Sequence, residues 1–121
     1  MKILIVDDEA FFRTLIHDLL DKEGYDVVTA SNGKEGIEKA ESFKPNLILL
    51  DALMPEISGF ETCWLMKSNT KIKKIPIIML TSLNKLGDVE SAFKNGADEY
   101  ITKPIDPLTF FSILNRKFKN I

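Results

Sequence analysis

The chain has 121 residues, 45% of them hydrophobic and 28% charged, with a formal net charge of −2, as is typical of one globular domain with a single core. This composition excludes a general polyanion-binding protein, so we expect no direct contact with nucleic acid. The single cysteine excludes an intramolecular disulfide, the single histidine excludes multi-histidine metal chemistry, and no apolar run reaches the length of a membrane span.

Two strand–helix units open the chain. Residues 3–6 form an apolar run typical of a strand buried on both faces, and the helix after it carries an inward stripe of Phe12, Ile16, Leu19 and Leu20. A second strand is predicted over residues 27–30. The next helix begins after Asn32, because Asn followed three residues later by Glu35 is a typical capping pair.

Three further units continue this alternation, with strands predicted over residues 47–50, 77–80 and 99–101. The third helix is predicted to pack through Phe60, Cys63, Trp64 and Met66. The fourth ends at Asn95-Gly96, and the fifth begins at Asp106-Pro107. Five alternating pairs predict an α/β fold with a doubly wound parallel sheet. We expect one cytoplasmic domain over residues 1–121, with no membrane-inserted segment.

Polar side chains follow four of these strands at the point where each strand ends. They comprise carboxylates at Asp7, Asp8, Glu9 and Asp51, hydroxyls at Thr81 and Ser82, and an ammonium at Lys103. Ligands of such sheets bind beyond the carboxyl ends of the strands, so these groups are predicted to share one pocket. Carboxylates held close together repel one another and either hold a proton or recruit a cation. An oxygen-rich site without histidine suits Mg²⁺, and Mg²⁺ beside a lysine and a hydroxyl indicates phosphoryl transfer.

Each of these residues also has a structural interpretation when it is taken alone. Asp7 and Asp8 suit a helix N-terminus, and Asp51 suits a turn. Thr81 suits an N-cap, and Lys103 suits a surface ion pair. If all of these structural interpretations held, the polar residues would have to fall at the correct strand ends by separate coincidences. A shared site accounts for all of their positions with a single arrangement.

Five short motifs lie in order along the chain: Ile3-Leu4-Ile5-Val6-Asp7-Asp8-Glu9, Asp51-Ala52-Leu53-Met54-Pro55 with Gly59 following, Met79-Leu80-Thr81-Ser82, Asn95-Gly96-Ala97-Asp98-Glu99-Tyr100 and Thr102-Lys103-Pro104. In this order and spacing they closely resemble the receiver domains of two-component response regulators, the family of the chemotaxis response regulator. The resemblance covers nearly the whole chain. It implies a flavodoxin-like fold with five helices and strand order 2-1-3-4-5.

The resemblance also implies roles for the acidic residues. Asp51 corresponds to the phosphoacceptor of the family. Asp8 and Asp51 correspond to direct Mg²⁺ ligands, together with the backbone carbonyl of Leu53. Asp7 corresponds to a ligand that acts through water. No position of the motif set is missing, which disfavours a degenerate receiver that cannot be phosphorylated.

The remaining motif residues correspond to the switch of the family. Lys103 corresponds to the residue that holds the phosphoryl oxygens, and its bond to Pro104 is expected to be cis. Thr81 corresponds to the hydroxyl that moves to the phosphoryl group, and Tyr100 to the aromatic ring that turns inward afterwards. The surface formed by the fourth helix, fifth strand and fifth helix is then expected to change.

The implied partners are a histidine kinase or phosphotransfer protein as donor and an output protein or output domain on that surface. A phosphorylation-dependent homodimer is a further implied partner. The chain is then a signalling switch and not an enzyme, apart from its self-directed phosphoryl transfer and slow self-dephosphorylation. No output region follows Phe118 in this sequence, so the chain acts alone or as a piece of a longer regulator.

Two other functions compete with this prediction. One is a Mg²⁺-dependent phosphatase that uses Asp51 as a turnover nucleophile, but such enzymes place the nucleophile after the first strand and need a cap region, which this sequence lacks. The other is a purely structural interaction domain that is never phosphorylated, which leaves the acidic pocket unexplained.

Two further hypotheses concern apolar residues. Leu53 and Leu83 lie two residues beyond Asp51 and Thr81 and offer nothing to orient an attacking water, so we expect slow self-dephosphorylation. The fifth helix is expected to face the core through Phe111, Leu114 and Phe118. Its other apolar residues would then form an exposed patch for a partner or second copy, comprising Phe110 and Ile113 with Ile105 and Tyr100 nearby. The alternative is a broad core-facing side.

Overall fold

The structure, a computed structural model, describes residues 1–118, so the last three residues of the predicted 1–121 domain lie outside the described residues. Five parallel strands form one sheet in the order β2-β1-β3-β4-β5. The strands are β1 (Lys2–Val6), β2 (Asp26–Ala30), β3 (Leu47–Leu50), β4 (Ile77–Thr81) and β5 (Glu99–Thr102). The helices are α1 (Ala10–Lys22), α2 (Gly33–Phe43), α3 (Gly59–Ser68), α4 (Leu86–Lys94) and α5 (Pro107–Phe118).

The predicted alternation and strand order are confirmed, and the strand limits differ from the predicted ones by no more than a residue. The central strands β3 and β4 are buried along their whole length, which explains their uninterrupted apolar sequence. The outer strands β2 and β5 are only partly covered. Within residues 1–118, no helix combines the length and apolar character needed to cross a membrane.

The sheet separates two hydrophobic cores. One core packs α2, α3 and α4 against the sheet through residues such as Ala40, Met66 and Ala92. The other packs α1 and α5 against the opposite face through residues such as Ile16 and Leu114. The strands alternate between the two cores, because successive side chains of a strand point to opposite faces. All five strands run in parallel, so their carboxyl ends lie at one edge of the sheet, where the predicted site residues follow them.

The helix limits follow the predicted capping residues. The Asn32 side chain accepts a hydrogen bond from the Glu35 backbone N–H at 2.8 Å, as expected for an N-cap. Ser58 plays the same part for α3, accepting from the Glu61 N–H at 3.2 Å. After α4, Gly96 adopts a positive φ of 102°, which glycine allows without a steric penalty.

Two predictions about helix faces are wrong. Trp64 was expected to pack inward on α3 but is 54% exposed, because the core face of this helix is taken by Cys63 and Met66. On α5 the core face runs through Phe110, Leu114 and Phe118.

The predicted apolar patch on α5 is therefore also wrong. Phe110 is fully buried, and Ile105, Phe111 and Ile113 are partly buried against the same core. The helix buries a broad side instead of exposing a second stripe. Tyr100, which was predicted to border the patch, packs partly against the other core.

Candidate functional site

Three aspartates meet at the carboxyl ends of β1 and β3. Asp7, Asp8 and Asp51 each place a carboxylate oxygen within 4.8 Å of the others. Asp7 and Asp51 are buried, whereas Asp8 is exposed. The sequence predicted this meeting from the strand ends alone, because neighbouring parallel strands end at the same edge of a sheet.

Asp7 is held by its surroundings at several points. Its Oδ1 accepts a hydrogen bond from the Glu9 N–H at 2.9 Å, and its Oδ2 accepts one from Lys103 Nζ at 2.8 Å. Burial raises the pKa of Asp7 above its ordinary value, and the charge of Asp51 adds to the increase, while the bonds from Lys103 and Glu9 oppose it. The carboxylate charge is thus incompletely compensated, as expected of a site that takes a cation.

Asp51 begins the loop after β3 and is only 4% exposed. Its Oδ1 accepts a hydrogen bond from the Leu53 N–H at 3.2 Å, and its Oδ2 makes a longer contact of 3.4 Å with Lys103 Nζ. The loop then returns so closely that a Cβ on Gly59 would overlap the Asp51 carbonyl oxygen and lie 2.6 Å from Ala52 Cα. Only glycine fits at this position without a shift of the backbone.

Lys103 supplies the positive charge of the site. Its Nζ also approaches Glu9 Oε1 at 3.3 Å, so three carboxylates share one ammonium group. Burial acts to lower the pKa of Lys103, but the hydrogen bond to Asp7 and the charge of Asp51 outweigh burial and raise it. The ammonium therefore stays charged at neutral pH. The Lys103–Pro104 peptide bond is cis, as predicted.

The predicted switch residues lie along β4 and β5. Thr81 is the last residue of β4 and is fully buried, and its carbonyl accepts a hydrogen bond from the Lys103 backbone N–H at 2.8 Å. Its hydroxyl accepts a long bond of 3.4 Å from the Leu83 N–H. The Tyr100 hydroxyl donates to the Leu83 carbonyl at 2.5 Å. The loop after β4 is thus bonded through Leu83 both to the Thr81 hydroxyl and to the Tyr100 hydroxyl.

Two contacts of the site were not predicted from the sequence. Arg13 Nη1 donates to the Asp7 carbonyl at 2.7 Å. The Phe12 ring lies beneath the Lys103 ammonium. Phe12 was assigned only to the core stripe of α1, and nothing in the helical periodicity separates a core phenylalanine from one that also meets a charge. Arg13 lies one helical turn beyond Glu9, and this spacing was the available signal.

The arrangement combines a buried carboxylate, an acidic cluster and a fixed ammonium in one small region. Carboxylate oxygens are the ligands that Mg²⁺ prefers, and the incompletely compensated charge of Asp7 fits such a cation. A nearby carboxylate and ammonium can accept a phosphoryl group and balance its charge. The donor set of this chain therefore fits Mg²⁺-assisted phosphoryl transfer.

Comparison with known proteins gives the same family throughout. The family model for the response regulator receiver domain matches residues 3–115. The alkaline phosphatase synthesis transcriptional regulatory protein PhoP of Bacillus subtilis is 43% identical over 106 residues, which cover 88% of this chain and 43% of PhoP. The chain thus spans less than half of the length of this relative.

Solved structures agree with the sequence comparison. The chemotaxis protein CheY4 of Vibrio cholerae superposes with a TM-score of 0.89 and 32% identity, covering 95% of this chain and 96% of CheY4. The receiver domain of the sensor histidine kinase PA1611 of Pseudomonas aeruginosa has a TM-score of 0.87 and 29% identity, covering 95% of this chain and 94% of that domain. In that structure a magnesium ion is coordinated in the active site cleft. The chain described here belongs to the response regulator receiver domain family.

Proposed function

We propose that Asp51 accepts the phosphoryl group by which this receiver domain is switched. As a member of its family the chain is a phosphorylation-activated signalling switch, not a turnover enzyme. The observation that carries the assignment to Asp51 is its position. Its buried carboxylate belongs to the acidic cluster, and among residues 1–118 the only contact of its Oδ2 is the long one with the Lys103 ammonium. Both Asp7 oxygens are already held by shorter hydrogen bonds.

A Mg²⁺ ion would be held directly by Asp8, Asp51 and the Leu53 carbonyl, and by Asp7 through water, which the clustering of the three aspartates supports. When bound, the ion offsets the negative charge of the carboxylates and the incoming phosphoryl oxygens. Exposed Asp8 gives the site an open side toward solvent, and buried Asp7 gives it a fixed inner wall. Arg13 holds the Asp7 backbone in place through the carbonyl contact of 2.7 Å.

Transfer forms a bond between an Asp51 carboxylate oxygen and phosphorus while the bond from phosphorus to the donor's histidine nitrogen breaks. The electron pair of the broken bond leaves with the imidazole. Lys103 then follows the negative charge from the carboxylate to the phosphoryl oxygens, which requires only a short movement because its Nζ already lies 3.4 Å from Asp51 Oδ2. Positioning and charge balance supply most of the catalysis in such reactions.

The switch is proposed to run through Thr81, Leu83 and Tyr100. A phosphoryl group adds strong acceptor oxygens, and the buried Thr81 hydroxyl gains a better partner than the Leu83 N–H at 3.4 Å. Movement of Thr81 displaces the loop to which the Tyr100 hydroxyl is bonded. Tyr100 then carries the change to the surface of α4, β5 and α5.

The partners follow from this scheme and rest on the proposal. In the cytoplasm, where we place this chain, a histidine kinase or histidine phosphotransfer protein donates the phosphoryl group. An output protein, or an output domain on a longer chain, reads the α4–β5–α5 surface, where a phosphorylation-dependent homodimer also forms. PhoP is a transcriptional regulator of more than twice the matched length, which supports an output region as one arrangement.

Intact mass spectrometry after incubation with acetyl phosphate tests the proposal. With Mg²⁺ we expect an acid-stable, base-labile adduct of one phosphoryl group, absent without Mg²⁺ and absent in Asp51→Asn. Asp18→Asn, an exposed aspartate on α1, is the control and should be modified like the unaltered chain. An adduct that persists in Asp51→Asn at full yield would refute the assignment of the phosphoacceptor, and no adduct at all would refute the function.

The phosphoryl group on Asp51 is expected to be long-lived, since Leu53 and Leu83 cannot orient an attacking water. Leu53 is 51% exposed, and Leu83 packs partly against the core. Leu53→Gln or Leu83→Gln should speed phosphoryl loss by about tenfold, because a positioned water reacts faster than a free one. Intact mass followed over time after removal of acetyl phosphate measures the rate. Leu108→Gln, at an exposed position on α5, should leave it unchanged. Unaltered lifetimes in both site variants would contradict the idea.

A further inference from the structure

The Lys103 ammonium contacts both a group of carboxylates and an aromatic face. Its Nζ contacts Asp7 at 2.8 Å, Glu9 at 3.3 Å and Asp51 at 3.4 Å. The same Nζ lies 3.8 Å from the centroid of the Phe12 ring. This distance is well within the range in which a cation is attracted by the ring, and the attraction is stronger where water is excluded. The Lys103 side chain is only 10% exposed, so the contact is of that stronger kind.

The Phe12 ring is itself held in place. Phe12 is partly buried on the first turn of α1 and packs against the core that α1 shares with α5. It also lines the wall of a groove of about 600 Å³ that opens beside Lys103 and Pro104. The beginning of α1 is fixed to the end of β1 by the bond from Arg13 to the Asp7 carbonyl. The Phe12 ring is therefore held in place by its helix, and the flexible Lys103 side chain takes up its position against that ring.

Packing alone does not require an aromatic ring at this position. A leucine or methionine would continue the apolar stripe of α1 equally well, because volume-conserving apolar replacements are tolerated in cores. What an aliphatic side chain lacks is a negative face for the ammonium. A lysine ends in a flexible chain with a strongly hydrated head, so without that face the ion pairs with the carboxylates would hold the ammonium less firmly in one position.

We propose that Phe12 is a positioning residue for phosphoryl transfer, and that its ring holds the Lys103 ammonium against Asp51 and Asp7. The ring covers part of the ammonium that the carboxylates do not contact and helps to exclude water from a side chain that is only 10% exposed. Lys103 is then already placed for the phosphoryl oxygens before they arrive, and transfer needs little reorganisation. The consequence for the rate rests on the proposed function of Asp51, whereas the placement of Lys103 does not.

The first measurement needs no phosphorylation. In the NMR spectrum of the metal-free chain, the Lys103 Hε protons should be shifted upfield by the Phe12 ring current, with Lys103→Arg used to assign them. The upfield shift should be lost in Phe12→Leu and kept in Phe12→Tyr, which retains the ring. Phe11→Leu is the matched control, since Phe11 is the neighbouring residue and is 82% exposed. An unshifted Lys103 signal in the unaltered chain, or a shift that survives in Phe12→Leu, would overturn the proposal.

The second measurement is the rate of phosphorylation by acetyl phosphate at saturating Mg²⁺. Phe12→Leu should slow it by about tenfold, and Phe12→Tyr and Phe11→Leu should stay within about twofold of the unaltered chain. Thermal unfolding shows which variants are folded, and Phe12→Met replaces Phe12→Leu if the latter is not. Equal rates in the leucine and tyrosine variants would overturn the positioning role. If the unaltered chain takes no phosphoryl group, the proposed function fails, and the NMR result still decides the placement of Lys103.

Discussion

Gly59→Ala should destabilise the chain by about 3 kcal/mol, which is at the upper end of what overpacking costs. The added Cβ would overlap the Asp51 carbonyl oxygen and lie 2.6 Å from Ala52 Cα. Both atoms belong to the backbone, so no side chain can turn away to relieve the overlap. The loop that carries Asp51 has to move instead. Urea unfolding measures the loss of stability, and the Asp51 loop should at the same time bind Mg²⁺ less well.

Gly87→Ala provides the matched control. Gly87 lies near the start of α4, and a Cβ there would meet no atom within 4 Å. Alanine is a better helix former, so this variant should gain about 0.5 to 1 kcal/mol. If the two variants were equally stable, the close return of the loop at Gly59 would not constrain the protein, and the steric argument would be wrong.

In the metal-free chain, we expect Asp7 to contribute less to the free energy of unfolding at neutral pH than in mild acid. The folded chain raises the pKa of Asp7 above its ordinary value of 3.8, so the folded state binds that proton more tightly than the unfolded state. The resulting stability is fully present below pH 3.8 and is lost as the pH rises through the folded pKa. With Mg²⁺ present, the contribution of Asp7 to stability should instead be larger at neutral pH than in mild acid, because the ion binds the ionised carboxylate and competes with the proton.

Thermal unfolding with and without Mg²⁺ measures this competition. At pH 7.5, free Mg²⁺ at about one hundred times its Kd should add about 2.7 kcal/mol of stability, and at pH 5 the gain should be smaller. Asp8→Asn should abolish most of the gain. Asp26→Asn, an exposed aspartate at the other end of the sheet, should leave it intact. A gain from Mg²⁺ that is independent of pH and of Asp8 would place the ion elsewhere.

The parallel sheet and the meeting of Asp7, Asp8 and Asp51 were predictable because both depend on coarse features, whereas the strand order followed from the resemblance to receiver domains. Apolar runs such as residues 47–50 and 77–80 are typical of buried strands of a parallel sheet, and the topology then brings their ends together. The polar residue types at those ends indicate the chemistry. None of this requires knowledge of a helix rotation or a rotamer.

The rotation of the helices was not predictable in the same way. On α5 the stripe through Phe111, Leu114 and Phe118 and the stripe through Phe110, Leu114 and Phe118 are both compatible with helical spacing. Which stripe is buried depends on how the helix leaves the loop after β5 and packs into the core that it shares with α1. The structure buries the stripe through Phe110, Leu114 and Phe118. The contact between Phe12 and Lys103 escaped for the same reason, since it joins two elements whose side chains must both be placed.

The backbone of the site is held by hydrogen bonds that do not involve the functional side chains. Just beyond the strands, the N–H groups of Asp7, Asp51 and Lys103 donate to the carbonyls of Ala30, Val6 and Thr81. Each of these three residues thus adds one more backbone hydrogen bond to the sheet, and that bond involves no side-chain atom. A side-chain substitution at any of the three positions removes a functional group and keeps the backbone hydrogen bond. A chain of this fold can therefore lose phosphorylation and still present the same surface to a partner, so chemistry and architecture are free to change independently.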